Sequence, residues 1–304
     1  AEDHHLWAER YDRELEDIFA LQDEMTSSIA ATLPGRIEAA VFERVERKPT
    51  DNMAAYEYVL KAKVLHHRFR REDNEKALAL LDQALALDPG YVHAHAWRAC
   101  VMGQAWARGW VERTNSWEQI KANYTRTLGQ FEYDSDVHRI MAALNILCGD
   151  HERAAFHQER GLQLNPNYDL LVVQQGELLT WIGKADEGVE WIRRAMQLNP
   201  HHPERFWSHL GRAFFVARRY EEAVEAFKHV STRDVILRSF LAASYSVIGD
   251  DEAARTELEA ILAESPQLSV DEIMQTFHYR HATDRDHHRD ALLRSGLSAG
   301  GTSS

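Results

Sequence analysis

Cysteine is scarce, with two in 304 residues. Cys100 and Cys148 fall inside helix-patterned stretches, so they read as small buried side chains in reduced form, neither a disulfide nor a nucleophile. Proline is nearly as rare, at seven, which leaves long stretches free to be helical. No apolar run approaches the roughly 20 residues that a bilayer-crossing helix needs, so membrane insertion is not expected. No leader is visible: Ala1-Glu2-Asp3-His4-His5 is charged with no apolar core behind it, and the expected location is cytoplasmic. Basic excess is missing too. A net charge of −13 opposes the phosphate contacts that nucleic-acid binding requires, and no nucleic acid is expected as a partner. The basic clusters at 68–71 and 218–219 read as solvated helix ends. Catalytic punctuation is also absent. There is no Gly-rich phosphate loop, no nucleophile elbow and no His-Glu-x-x-His, and the many carboxylates read as helix exterior with no convergent pair. The chain therefore reads as non-enzymatic and without a cofactor.

What is present is a period. Asn165-Pro166 and Asn199-Pro200 each close an amphipathic run, and the two prolines lie 34 residues apart. Asp88-Pro89 has the same form and Ser265-Pro266 a weaker one. A second marker falls between paired helices at Gly149-Asp150, Gly183-Lys184 and Gly249-Asp250, the first two again 34 apart. Within one unit, Trp207, Leu210, Gly211 and Phe214 share a helix face. Tyr220 sits in the turn, and Ala223, Phe227 and Val230 mark the partner helix. Gly211 and Ala223 are small where two helices must approach closely. Met141-Ala142 with Ala154, Gln175-Gly176 with Gly188 and Ala195, and Leu241-Ala242 with Ala254 repeat parts of the same pattern.

These residues resemble the tetratricopeptide repeat, a helix-turn-helix unit of this period. The resemblance implies an all-α, right-handed superhelical solenoid of about five or six repeats. Four regions are expected: a strand-helix remnant at 1–48, the repeats at 49–266, a capping helix region at 267–294 and a disordered tail at 295–304. The cap is expected to begin within 271–277. The turn from His66 to Asn74 reads as long and charged, and the second repeat carries an irregular insertion from Gln104 to Trp117. At the N-terminus, Leu6 to Glu24 resembles the closing segment of a TolB-like domain. That domain precedes such repeats in many bacterial class III adenylate/guanylate cyclase-like proteins. Tyr279 to Asp286 and Ala291 to Leu297 resemble the end of the same proteins. The resemblance implies the C-terminal repeat region of a signalling protein whose catalytic domain lies elsewhere. Winged-helix transcriptional regulators carry similar regions, so that parent stays open. A strand without its sheet exposes unpaired backbone, and residues 6–45 are expected to pair two copies of the chain.

Binding should then reside on the first helix of each pair, which lines the concave face of such arrays. The candidates are Arg139, Gln174, Glu177, Trp181, Arg205, Ser208, Arg212 and Phe215, a mixed groove for a protein or peptide partner. Its arginines suit carboxylates through forked hydrogen bonds. Trp97, Trp106, Trp110 and Trp117 form a candidate aromatic pocket, whose ordinary alternative is packing within the insertion. Seventeen histidines raise the question of zinc. Adjacent histidines on a helix point about 100° apart, and no ligand spacing recurs, so no metal site is expected.

Overall fold

The computed structural model describes residues 53–111 and 135–300, and among them the chain is helical with no strand. The expected strand-helix remnant at 1–48, self-pairing through 6–45, Trp117 and residues 301–304 lie outside the described residues. The helices are α1 (Ala54–His66), α2 (Arg71–Leu87), α3 (Val92–Ala107), α4 (Ser135–Leu147), α5 (His151–Leu164), α6 (Asp169–Trp181) and α7 (Ala185–Leu198). They continue with α8 (Arg205–Val216), α9 (Tyr220–Lys228), α10 (Val235–Ile248), α11 (Asp251–Glu264), α12 (Val270–Met274) and α13 (Ala282–Arg294). Two compact units divide them, and the chain passes from one to the other within α5, α6 and α7.

The first unit builds its core from α1, α2, α3 and α4, with Val59, Leu81, Trp97 and Ile140 buried together. Two sequence expectations shift here. The turn after α1 is shorter than the His66–Asn74 span suggests, because Arg71 already begins α2. Asn74 is buried, its amide donating to the Val101 carbonyl at 3.0 Å and to Gln104 Oε1 at 2.9 Å. That second bond draws Gln104 into the core, so α3 continues to Ala107 through the start of the expected insertion.

In the second unit the small residues stand where the period places them. A Cβ on Gly211 would lie 2.5 Å from the Phe227 ring, and one on Gly176 would lie 2.7 Å from the Gly188 carbonyl. Glycine at these positions permits the close approach of paired helices. Contacts of α8 with α9, and of α10 with α11, complete the pairs.

The turns share one left-handed residue. Gly183 takes φ 84° and Gly249 φ 89°, the conformation that glycine adopts without a Cβ penalty. In the turn between α8 and α9 that place is held by Arg218, at φ 65°. Its guanidinium donates to Asp284 Oδ1 at 3.0 Å, an exposed pair of small value. Arg218→Ala keeps the strained backbone and loses the pair, whereas Arg218→Gly loses the pair and relieves about 1 kcal/mol of strain. In urea titrations the glycine variant should therefore be the more stable of the two. An alanine variant of higher stability would remove this account of the turn.

The C-terminal region differs from one capping helix and a loose tail. Two helices occupy it, and α12 opens with a capping box between Ser269 and Glu272. The Val270 and Asp271 amides donate to the carbonyls of Ser298 and Ala299, at 2.8 and 3.2 Å. These bonds satisfy first-turn donors of α12, and Leu297 is buried beside them. Residues 295–300 are thus held in place.

Candidate partner-binding surface

On α8, Arg205, Ser208, His209 and Arg212 fall at spacings of three and four and share one face. Glu177 on α6 faces them, with Oε1 3.6 Å from His209 Nδ1 and 3.7 Å from Arg212 Nη1. These distances exceed good hydrogen bonds, so the attraction between Glu177 and Arg212 is electrostatic. Arg212 Nε instead donates to the Ser208 carbonyl at 3.2 Å. About a fifth of the Glu177 and Arg212 side-chain surface is open, 22% for each. Burial pushes the Glu177 carboxyl up, against Arg212, the Trp181 indole and Arg205, which favour its charge. His209 is held well below its ordinary range by burial and by Arg212 and Arg205, so it is neutral at pH 7. The face therefore presents two guanidinium groups, a neutral imidazole and one carboxyl.

The other expected groove residues are placed differently. Gln174 is buried, and Trp181 and Phe215 are buried aromatic side chains. Trp181 stacks on Phe277, with ring centroids 6.1 Å apart, and meets Tyr279 edge-on at 5.0 Å. Phe215 lies 4.7 Å from the His288 ring and 5.3 Å from Phe240. The apolar half of the expected groove is thus filled by the chain's own C-terminal segment. Arg139 belongs to the first unit, where its Nε donates to Asp136 Oδ1 at 2.9 Å and its guanidinium lies over Trp97. Asp136 also receives the Trp97 Nε1 hydrogen at 3.0 Å and the Tyr168 hydroxyl at 3.2 Å, with Lys63 Nζ at 3.2 Å.

Trp97 is wholly buried, and Trp106 packs partly buried on the same core. Trp110 is half-buried at the end of the described segment. The carboxylates are not all exterior. Asp136 is buried, and so is Glu257, which receives Arg233 at 3.0 Å and Arg238 at 2.6 Å. Sequence reasoning missed both, because each looks like an ordinary helical acid until its partners elsewhere in the chain are placed. Among the described residues no group of three or more His, Cys, Asp or Glu side chains is arranged to hold a metal ion. No described helix is long and apolar enough to cross a membrane.

One further feature carried no periodic signal. The C-terminal segment runs along successive turns of the second unit. His151 Nε2 lies 2.6 Å from the His278 carbonyl, and the Arg280 amide donates to the Trp181 carbonyl at 2.9 Å. His281 Nε2 lies 3.1 Å from the Ile182 carbonyl, and Tyr220 pairs with His287 at 3.0 Å. Ser246 Oγ donates to the Ala291 carbonyl at 2.9 Å. The approach is close enough that a Cβ on Gly183 would lie 2.5 Å from the His281 ring.

No family model matches the chain. Over 92 residues it is 40% identical to "Putative adenylate cyclase 3" of Rhizobium meliloti (strain 1021), a match covering 30% of this chain and 16% of that protein. Over 88 residues it is 31% identical to "Small glutamine-rich tetratricopeptide repeat-containing protein 2" of Mycosarcoma maydis, covering 28% of this chain and 25% of that protein. The chain thus spans a quarter or less of the length of these relatives. Among solved structures, the APC/C hetero-tetramer Cut9–Hcn1 is similar at 15% identity and a TM-score of 0.59, over 91% of this chain and 56% of that one. The fold is the all-α tetratricopeptide-repeat fold.

Proposed function

We propose that the chain is a non-catalytic protein-interaction module that recognises an acidic peptide or protein segment. The observation that carries this reading is the half-buried α8 stripe of Arg205 and Arg212, faced by the Glu177 carboxyl. Guanidinium forks suit carboxylates, while the neutral His209 adds a donor without further charge. The absence of catalytic motifs in the sequence agrees with a binding role. We further infer that the chain serves as the repeat region of a bacterial cyclase-like signalling protein, in which a bound partner regulates a catalytic domain elsewhere. The 92-residue likeness to the Rhizobium protein supports that parent. The coding sequence preceding Ala1 tests it: a nucleotide-cyclase domain is expected, and a DNA-reading winged helix would overturn it.

The binding reading is tested with a fluorescein-labelled extended peptide of alternating Glu and Leu, titrated with the full chain. Arg205→Ala/Arg212→Ala should weaken binding at least about tenfold at low salt, because each lost guanidinium removes a charge-assisted contact. Binding should also fall with salt as exposed charges are screened. Equal affinity of the double variant and the parent chain would sink the assignment.

A further inference from the structure

The segment from Phe277 to His281 has no regular secondary structure, yet it is held like a bound ligand. Its backbone is fixed at two places: the His278 carbonyl by His151, and the Arg280 amide by the carbonyl that ends α6. Phe277 packs on Trp181 and lies 5.0 Å from Phe240 and 4.8 Å from His288. Tyr279 meets Trp181 edge-on and its hydroxyl lies 3.0 Å from His288 Nδ1. His278, between them, carries the carbonyl bond, and its ring also meets Trp181 edge-on, with centroids 6.5 Å apart. The Phe277 and Tyr279 rings, with centroids 6.2 Å apart, enter the apolar face together. Arg280 follows and remains exposed, 3.9 Å from Glu152.

We propose that this face of the second unit is a peptide-binding site for extended segments of the pattern aromatic-x-aromatic-Arg, and that Phe277–Arg280 is its intramolecular occupant. Every element of the recognition is general. A helix-end carbonyl accepts any extended-chain amide, Trp181 and Phe240 offer aromatic faces, and Glu152 faces the trailing base. A partner carrying the same pattern competes with the strap, as extended peptides dock in other recognition domains through main-chain bonds with alternate side chains in pockets. The strap therefore sets the affinity that such a partner must exceed. This inference rests on reading the chain as an interaction module, but it does not use the Arg205–Arg212 stripe.

The test uses the full chain and a labelled peptide with the sequence of residues 275–282, followed by fluorescence anisotropy. Phe277→Ala/Tyr279→Ala empties the face and should bind the peptide at least tenfold more tightly than the unaltered chain. A peptide with both aromatic residues replaced by alanine should bind neither. Adding Trp181→Ala to the emptied chain should abolish binding. Equal binding by both chains, or by the alanine peptide, would overturn the proposal. Circular dichroism establishes that each variant is folded. Should the double variant unfold, hydrogen exchange on the unaltered chain decides the matter. The Arg280 amide should exchange through a local opening, faster than the Phe240 amide, and equal protection of the two would overturn the strap. Loss of acidic-peptide binding in Arg205→Ala/Arg212→Ala bears on the stripe alone, so the two readings fail separately.

Discussion

Replacing Asp136 with alanine should cost about 3–5 kcal/mol of stability, the range for removing one partner of a buried ion pair. The carboxylate receives the Trp97 indole hydrogen, the Arg139 guanidinium and the Tyr168 hydroxyl, with the Lys63 ammonium 3.2 Å away. Removing it takes a carboxylate from a buried guanidinium and the acceptor from a buried indole N–H, and water does not make up either loss. Arg139 and Lys63 keep their places over the Trp97 ring, each 5.0 Å from its centroid. Those contacts recover only part of the loss. Urea unfolding followed by circular dichroism measures the cost, and a loss below about 1 kcal/mol would show that the network is dispensable. A pH signature accompanies it. Burial raises the Asp136 pKa, but Arg139 and Lys63 outweigh burial and hold the carboxyl well below the usual carboxylate range. A depressed carboxylate contributes stability above its unfolded pKa, about 3.9, and loses it as pH falls through the folded value. The alanine variant should lack that component of the acid loss below about pH 4.

Arg139 shows where the sequence reading stopped. Its place on the first helix of a pair suggested a solvent-facing ligand residue. Three residues earlier, Asp136 fell among the carboxylates expected on helix exteriors; it stands in the first turn of α4, where the helix dipole favours it. The burial of both depends on Trp97, 39 residues before Asp136, and no periodic pattern reports such a contact. The small residues behaved otherwise. Gly211 against Phe227 and Gly176 against Gly188 are local consequences of pairing neighbouring helices, so the repeat spacing revealed them. Arg218 hides a left-handed position because the sequence shows no glycine there, although the turn geometry is the same. The C-terminal strap was the least legible feature. Its backbone bonds join residues 99 and 127 positions apart, and Phe277 and Tyr279 carry no helical spacing. Trp181 on α6 and Phe215 on α8 were both expected to line the groove, but nothing in the periodicity says what covers them.

His288 joins that cover to acidity. The imidazole is wholly buried, with ring centroids of Phe240, Phe215 and Phe277 at 4.4, 4.7 and 4.8 Å. Nδ1 pairs with the Tyr279 hydroxyl at 3.0 Å, and Nε2 has no hydrogen-bond partner. A proton added here would place an unpaired charge among aromatic rings, so burial, reinforced by His287 and Arg218, pushes the pKa down to about 3. The surrounding groups do not compensate. Tyr279 is raised by burial and stays protonated, and His287 is itself lowered by burial and by Arg218. In the unfolded chain His288 titrates near its ordinary value of about 6.5. Between that value and 3 the unfolded state binds more protons, so stability is full above about pH 6.5 and falls as acid is added, by about 1.4 kcal/mol per unit. His288→Phe removes this component and fills the same aromatic site. At pH 4.5 the unaltered chain should therefore have lost about 2–3 kcal/mol that the phenylalanine variant retains. Urea midpoints of both chains from pH 7.5 to 4.5 measure the difference, which cancels the contribution of His287 because both chains carry it. Parallel midpoints across that range would mean that His288 is solvated or paired when protonated. The strap contacts at Phe277 and Tyr279 would then hold the C-terminal segment regardless of pH.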